Sequence, residues 1–311
     1  VIWSKQFILM INKHLVEERS RDIGDFLVGR LLPFRKKRQV GPFTFIDHMG
    51  PTDLGNDRYL DVDQHPHIGL CTLTWLIEGE IEHRDSMGTI QRIRPGDVGF
   101  MCSGSGVTHT ERTPAELRNG QDSRIHGYQV WVALPKNMEQ ANPSFQYLTR
   151  EELPQWREGE LSMIMIAGKG FGKSSPLEAP GEAFMLDVRS NSSTAQSFQL
   201  DGELQGEIAF IVVEGSVKSG EDEIQAGQML ISKTEDQCGI ELNPNTHLLI
   251  FGGKPYPEER FIMWNFVSSD KEELTRAAQR WIAKAFPRVA DDDTYVPLPE
   301  ALMNRINREN G

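Results

Sequence analysis

The chain is poor in cysteine, in basic residues and in long apolar runs, and each shortage removes a class of protein. Its three cysteines, Cys71, Cys102 and Cys238, are widely spaced and odd in number. They make no disulfide framework of the secreted kind and suggest a reducing, cytoplasmic setting. No apolar run reaches the roughly 18 residues of a membrane-spanning helix, so no membrane partner is expected. The opening Val1–Ile11 is mildly hydrophobic but has no continuous apolar centre and no small-residue cleavage site, and it reads as an extension. Lys and Arg total 33 against 45 Asp and Glu, a net charge of −12. Phosphate contacts need a basic surface, so direct nucleic-acid binding is not expected. The one basic run, Arg35-Lys36-Lys37-Arg38, sits between Pro33-Phe34 and Gly41-Pro42 and reads as a solvated turn.

Histidine is scarce too, eight in all, yet three fall in two short segments. These are Asp63-Gln64-His65-Pro66-His67 and Gly104-Ser105-Gly106-Val107-Thr108-His109-Thr110-Glu111. Both read as strands. Side chains alternate along a strand, so His65 and His67 share one face, as do His109 and Glu111. Two such strands facing each other inside a small barrel bring three imidazoles and one carboxylate to a point. That ligand set suits Fe(II), with Mn, Ni, Cu or Zn as substitutes, and leaves coordination positions open. An isolated His-x-His is more often a surface or hydrogen-bonded pair. The second pair, in its glycine-rich context, favours a metal site.

The stretch His65 to Gly88, with Glu78-Gly79-Glu80 and His83-Arg84-Asp85 inside it, resembles the first cupin motif as the pirin family writes it. Arg94-Pro95-Gly96-Asp97-Val98 and Gly104 to Arg112 resemble the second, and Gly41 to Pro51 is similar to the segment preceding the metal strand. The resemblance covers roughly residues 20 to 290. It implies an all-β fold of two tandem cupin (jelly-roll-like) barrels, with His65, His67, His109 and Glu111 in the metal-ligand positions. Many cupins place a glutamate four or five residues after the second histidine, where this chain has Cys71 and Thr72. Cys71 reads as a small core residue, which leaves the carboxylate to Glu111.

Strand signals dominate from about residue 25 to 250, at Cys71–Ile77, Thr89–Ile93 and Gly127–Ala133 among others. The polar stretch 134–143 reads as the bridge out of the first barrel. The expected divisions are a 1–20 extension, a 21–145 metal-binding cupin domain, a 146–268 cupin domain lacking the histidine ligands, and a 269–311 helix and tail. In that tail Ser269 reads as an N-cap, and Leu274, Ala278, Trp281, Ile282 and Phe286 form one apolar face. Duplication shows in Glu214-Gly215 echoing Glu78-Gly79 and Gly227 echoing Gly96. Counting from these anchors sets Asp201, Glu203, Ile240 and Leu242 opposite the four ligand positions, so the second half has no imidazole there.

Trp75, Phe100, Met101 and Trp131 are candidates for a pocket lining, with ordinary core as the simpler reading. His83, Arg84 and Asp85 are candidates for the pocket mouth, with a solvated hairpin as the simpler reading. His48 and His126 read as buried, satisfied histidines or as partners of the metal ligands. The resemblance implies an Fe(II)-dependent dioxygenase of the quercetin 2,3-dioxygenase type, acting on flavonol-like or catechol-like aromatic substrates. Glu111 would then serve as both ligand and catalytic base. The alternative is a metal- or redox-sensing regulator that binds a protein partner.

Overall fold

The protein is described from a computed structural model, over residues 13–23, 26–55, 58–118, 123–200, 202–232 and 239–309. Asp201, Cys238 and the opening Val1–Ile11 lie outside these residues. Of the described residues 53% are strand and 11% helix, arranged as two cupin barrels with a short helical C-terminus.

In the first barrel a seven-stranded sheet includes Phe43–Leu54, Leu70–Glu78, Val98–Cys102 and Ser123–Ala133. It faces a four-stranded sheet of Asp61–His67, Val107–Arg112, Ile81–Asp85 and Ile90–Ile93. Ser144–Leu148 pairs with Val98–Cys102, so the chain leaves this barrel later than the polar stretch 134–143 suggests. The second barrel repeats the plan, with a seven-stranded and a four-stranded sheet. His14–Glu17 crosses over to pair with Gln228–Ser232 of the second barrel. The two large sheets pack against each other over a shared core that includes Trp75, Tyr128, Ile166, Ile211 and Phe251.

Register corrects the count of equivalent positions in the second half. Phe198 lies opposite Ile240 as His65 lies opposite His109. The places of His65 and His67 are therefore taken by Phe198 and Leu200, not by Asp201 and Glu203. Counting from a distant Glu-Gly step cannot see that the intervening loop differs in length. Phe198, Leu200, Ile240 and Leu242 are all buried in one apolar cluster, while Glu203 is exposed. Apolar packing fills this barrel where the first has polar groups.

The cysteine reading is corrected as well. Cys71 and Cys102 face each other across Leu70–Glu78 and Val98–Cys102 and form a disulfide. Their separation of 31 residues hides this, because strand pairing alone brings them together. Cys71 is nevertheless fully buried, as expected. The cysteine count thus says nothing about compartment.

Beyond the second barrel the chain returns to the first. The hairpin Phe261–Met263/Phe266–Ser268 leads into α1 (Lys271–Ile282) and, after an extended stretch, α2 (Glu300–Glu309). Asp270, not Ser269, caps α1, its carboxylate accepting from Glu272 N. The Ser269 amide is instead used on Glu139. The face that α1 buries comprises Leu274, Ala277, Ala278 and Trp281, whereas Ile282 is 41% exposed. It packs on Ile68, Phe266 and Phe286. The hairpin passes so close to Gly69 that a Cβ there would meet Val267 O at 1.9 Å, and Gly69 also has φ +67°. Only glycine fits both demands. A C-terminal strap thus lies against the chain two residues beyond His67, at the end of the Asp61–His67 strand.

Candidate metal centre

The strand Asp61–His67 is antiparallel to Val107–Arg112, with His65 opposite His109 and His67 opposite Val107. A bulge lies between the His109 and Glu111 pairings, where Asp63 and Gln64 together oppose Thr110. The three imidazoles converge, with ring centres 4.3 Å (His65–His109), 4.9 Å (His67–His109) and 5.0 Å (His65–His67) apart. Their ligand atoms lie within 4.8 Å of one another, and those of His83, His109 and Glu111 form a second such group sharing His109. The structure therefore joins His65, His67 and His109 directly and brings Glu111 in beside His109.

Hydrogen bonding sets which nitrogens face inward. His65 Nδ1 donates to Asp63 O at 2.8 Å, and His67 Nδ1 donates to Asn265 O at 3.0 Å. Carbonyls only accept, so each ring keeps its lone pair on Nε2. His109 Nε2 and Glu111 Oε1 are buried with no hydrogen-bond partner. Buried polar atoms are rarely left so unless something else satisfies them. Burial, with like-charge repulsion, pushes His67 and His109 well below the ordinary histidine value and His65 to about 4. The rings are thus neutral and able to ligate. Burial also raises the Glu111 carboxyl, opposed by His83, Gln129 and Thr74. A cation would offset that desolvation cost, so the donor set fits a transition metal.

The site opens on a cavity of about 560 Å³, within the usual range for small molecules. Phe45 and Trp131 stack at 3.9 Å to form one wall, and Trp131 meets the His67 ring edge-on at 5.1 Å. The Arg30 guanidinium lies over Phe45 and makes a two-point ion pair with Asp47 at 2.7 and 2.8 Å. Trp264, Val296 and Pro299 of the strap close the other side. Of the expected lining residues only Trp131 reaches this cavity; Trp75 and Phe100 are core.

Several contributors escape sequence reading. Gln64, pointing away from the ligands, is buried and holds the strap by donating to Asp292 O and Thr294 O and accepting from Val289 N. Asn265 acts through a backbone carbonyl, which leaves no signal in side-chain identity. The hairpin expectation for His83 and Asp85 is corrected: both are buried, 2% and 1% exposed, with His83 Nδ1 3.3 Å from His109 Nδ1. The residue before them in the strand partners Arg112, so only alternation, not composition, hinted at an inward His83.

His48 and His126 sit elsewhere. His126 Nε2 donates to His48 Nε2 at 2.9 Å, and His48 Nδ1 donates to Glu18 at 2.6 Å. Burial, then repulsion from His48, His247, Arg124 and Arg189, lowers His126 to about 4 from 6.5. The unfolded chain therefore takes up this proton first. Stability is full above pH 6.5 and is lost as pH falls toward 4, below which both states are protonated. Thermal melts should show Tm falling through that window, with a shallower slope in His126→Gln. An equal slope in the variant would assign the dependence to other groups.

Two barrels on one chain, one polar and one apolar inside, define a bicupin with a single candidate metal centre among the described residues. The family description Pirin matches residues 26–132, and Pirin C-terminal cupin domain matches 186–287. A pirin-like protein of Caulobacter vibrioides is 38% identical over 289 residues, covering 91% of this chain and 98% of that protein. The chain belongs to the pirin family. A crystal structure of quercetin 2,3-dioxygenase from Acinetobacter baumannii superposes with a TM-score of 0.84 at 29% identity, over 92% of this chain and 95% of that one. A bacterial pirin from Escherichia coli solved with nickel(II) shares the fold at a TM-score of 0.60 and 17% identity, over 78% and 99% of the two chains.

Proposed function

We propose that the chain is a metal-dependent dioxygenase of the quercetinase type, with Fe(II) held by His65, His67, His109 and Glu111. The observation that carries this reading is three converging imidazoles, with an unpartnered His109 Nε2 and an unpartnered Glu111 carboxylate oxygen beside it, on an aromatic-walled cavity. His65, His67, His109 and Glu111 would hold the metal and leave it accessible to a substrate from the cavity side. When bound, the metal supplies Lewis acidity to a substrate hydroxyl. The Phe45–Trp131 pair then gives a flat ring an apolar wall to lie against, and Trp264 with Val296 lines the same cavity and helps exclude water. Glu111, raised by burial, is suited to accept the hydroxyl proton within that dry site.

The test is anaerobic loading with Fe(II), then O2 uptake with quercetin and simple catechols. Glu111→Gln keeps the side-chain volume and removes the base, so turnover should fall at least about a hundredfold while Tm changes little. If the iron-loaded protein gives neither O2 uptake nor a spectral change with any of these compounds, the enzymatic reading fails and the regulatory one replaces it.

A further inference from the structure

The metal centre is backed by a buried chain of acceptors and donors that fixes a single proton. Asp85 lies on Ile81–Asp85, antiparallel to the His109 strand, with its Cα directly opposite that of His109. Its Oδ1 accepts from Met87 N at 2.8 Å and Thr89 N at 3.1 Å, which locks the carboxylate in place. Its Oδ2 faces His83 Nε2 at 3.3 Å. The His83 ring is held by stacking on Phe145, 4.7 Å away at 23°. Its other nitrogen, Nδ1, faces His109 Nδ1 at 3.3 Å.

We infer that Asp85 and His83 are positioning residues that set the tautomer of His109 and thereby make it a metal ligand. An ionised carboxylate only accepts, so a neutral His83 ring carries its proton on Nε2 and presents a lone pair at Nδ1. His109 must then donate from Nδ1. Its Nε2 is left unprotonated, and that is the atom buried without a partner toward His65 and His67. His65 and His67 reach the same state through backbone carbonyls. His109 alone depends on a side-chain relay, because the atom facing its Nδ1 is itself a nitrogen that can hold or lack a proton. Outer partners of this kind commonly change metal affinity ten- to a hundredfold.

The relay predicts an inversion. In Asp85→Asn the amide oxygen stays on the Met87 and Thr89 amides, so the Nδ2 donor points at His83 Nε2. His83 must then accept there and donate from Nδ1, His109 must accept at Nδ1, and its proton moves to Nε2. One substitution thus places a hydrogen on the ligating atom while keeping the turn contacts.

This inference deepens the ligand assignment proposed above, and two measurements separate the two. Histidine ¹⁵N NMR of the metal-free protein reads the tautomer directly. His109 should be protonated on Nδ1 in the wild type and on Nε2 in Asp85→Asn. Titration with Ni(II) alone should then show at least about tenfold weaker binding in Asp85→Asn. Adding His83→Asn should restore most of the loss, since its amide can turn an oxygen toward His109 Nδ1 without reference to position 85. Wild-type His109 protonated on Nε2, or unchanged Ni(II) affinity in Asp85→Asn, overturns the relay. Should Asp85→Asn not fold, the wild-type spectrum decides alone. A wild type that shows the Nδ1–H tautomer yet binds no Ni(II) would leave the relay standing and remove the metal site.

Discussion

Replacing His67 with alanine should leave the protein folded and without stoichiometric metal. Elemental analysis of the wild type should give one equivalent of transition metal per chain, and the variant close to none. The imidazole supplies one of three converging Nε2 atoms, and its ring is pinned by Asn265 O and by the edge of Trp131. Two imidazoles and one carboxylate would remain, a set that holds divalent metals far less tightly in competition with chelators. Alanine also opens space against Trp131, so a modest loss of Tm is expected alongside. A second equivalent in the wild type would contradict the apolar second barrel, where Phe198, Leu200, Ile240 and Leu242 fill the corresponding places. Full metal content in His67→Ala would reject the ligand assignment.

Trp281→Ala should have the largest effect on stability, and it should reach the metal as well. Trp281 is 3% exposed, stacks on Tyr295 at 4.5 Å, meets Phe286 edge-on and donates from Nε1 to Val296 O at 3.0 Å. Losing a buried tryptophan costs about 3–5 kcal/mol, and here it also removes the indole donor from the half-buried Val296 carbonyl. The strap it anchors supplies Asn265 O to His67 and Val296 to the cavity wall. Urea unfolding should therefore show the loss, and Ni(II) titration under native conditions should show weaker binding. Destabilisation with unaltered metal affinity would mean that the strap covers the site without ordering it.

The candidate site was legible in part because its signal is local. His65 with His67, and His109 with Glu111, are read as same-face pairs from strand alternation alone, and alternation survives almost any tertiary context. The duplication was legible for a similar reason, since Gly96 and Gly227 each occupy turns with positive φ that few other residues adopt. The short bulge opposite Thr110 was not, because it depends on pairing between strands more than forty residues apart.

What the sequence by itself determined is therefore the two-barrel β architecture, the metal-competent strands and the absence of imidazoles from the four corresponding positions of the second barrel. Tertiary structure alone decided the rest. It chose Phe198 and Leu200 over Asp201 and Glu203 as the counterparts of His65 and His67, and it joined Cys71 to Cys102. It turned His83 and Asp85 inward behind His109, and it brought a strap from the far end of the chain onto His67. The physical reason is common to all four. Face and turn preferences are properties of a few consecutive residues, whereas strand register, disulfide partners and backbone-carbonyl contacts are settled only when distant segments compete to bury the same surface.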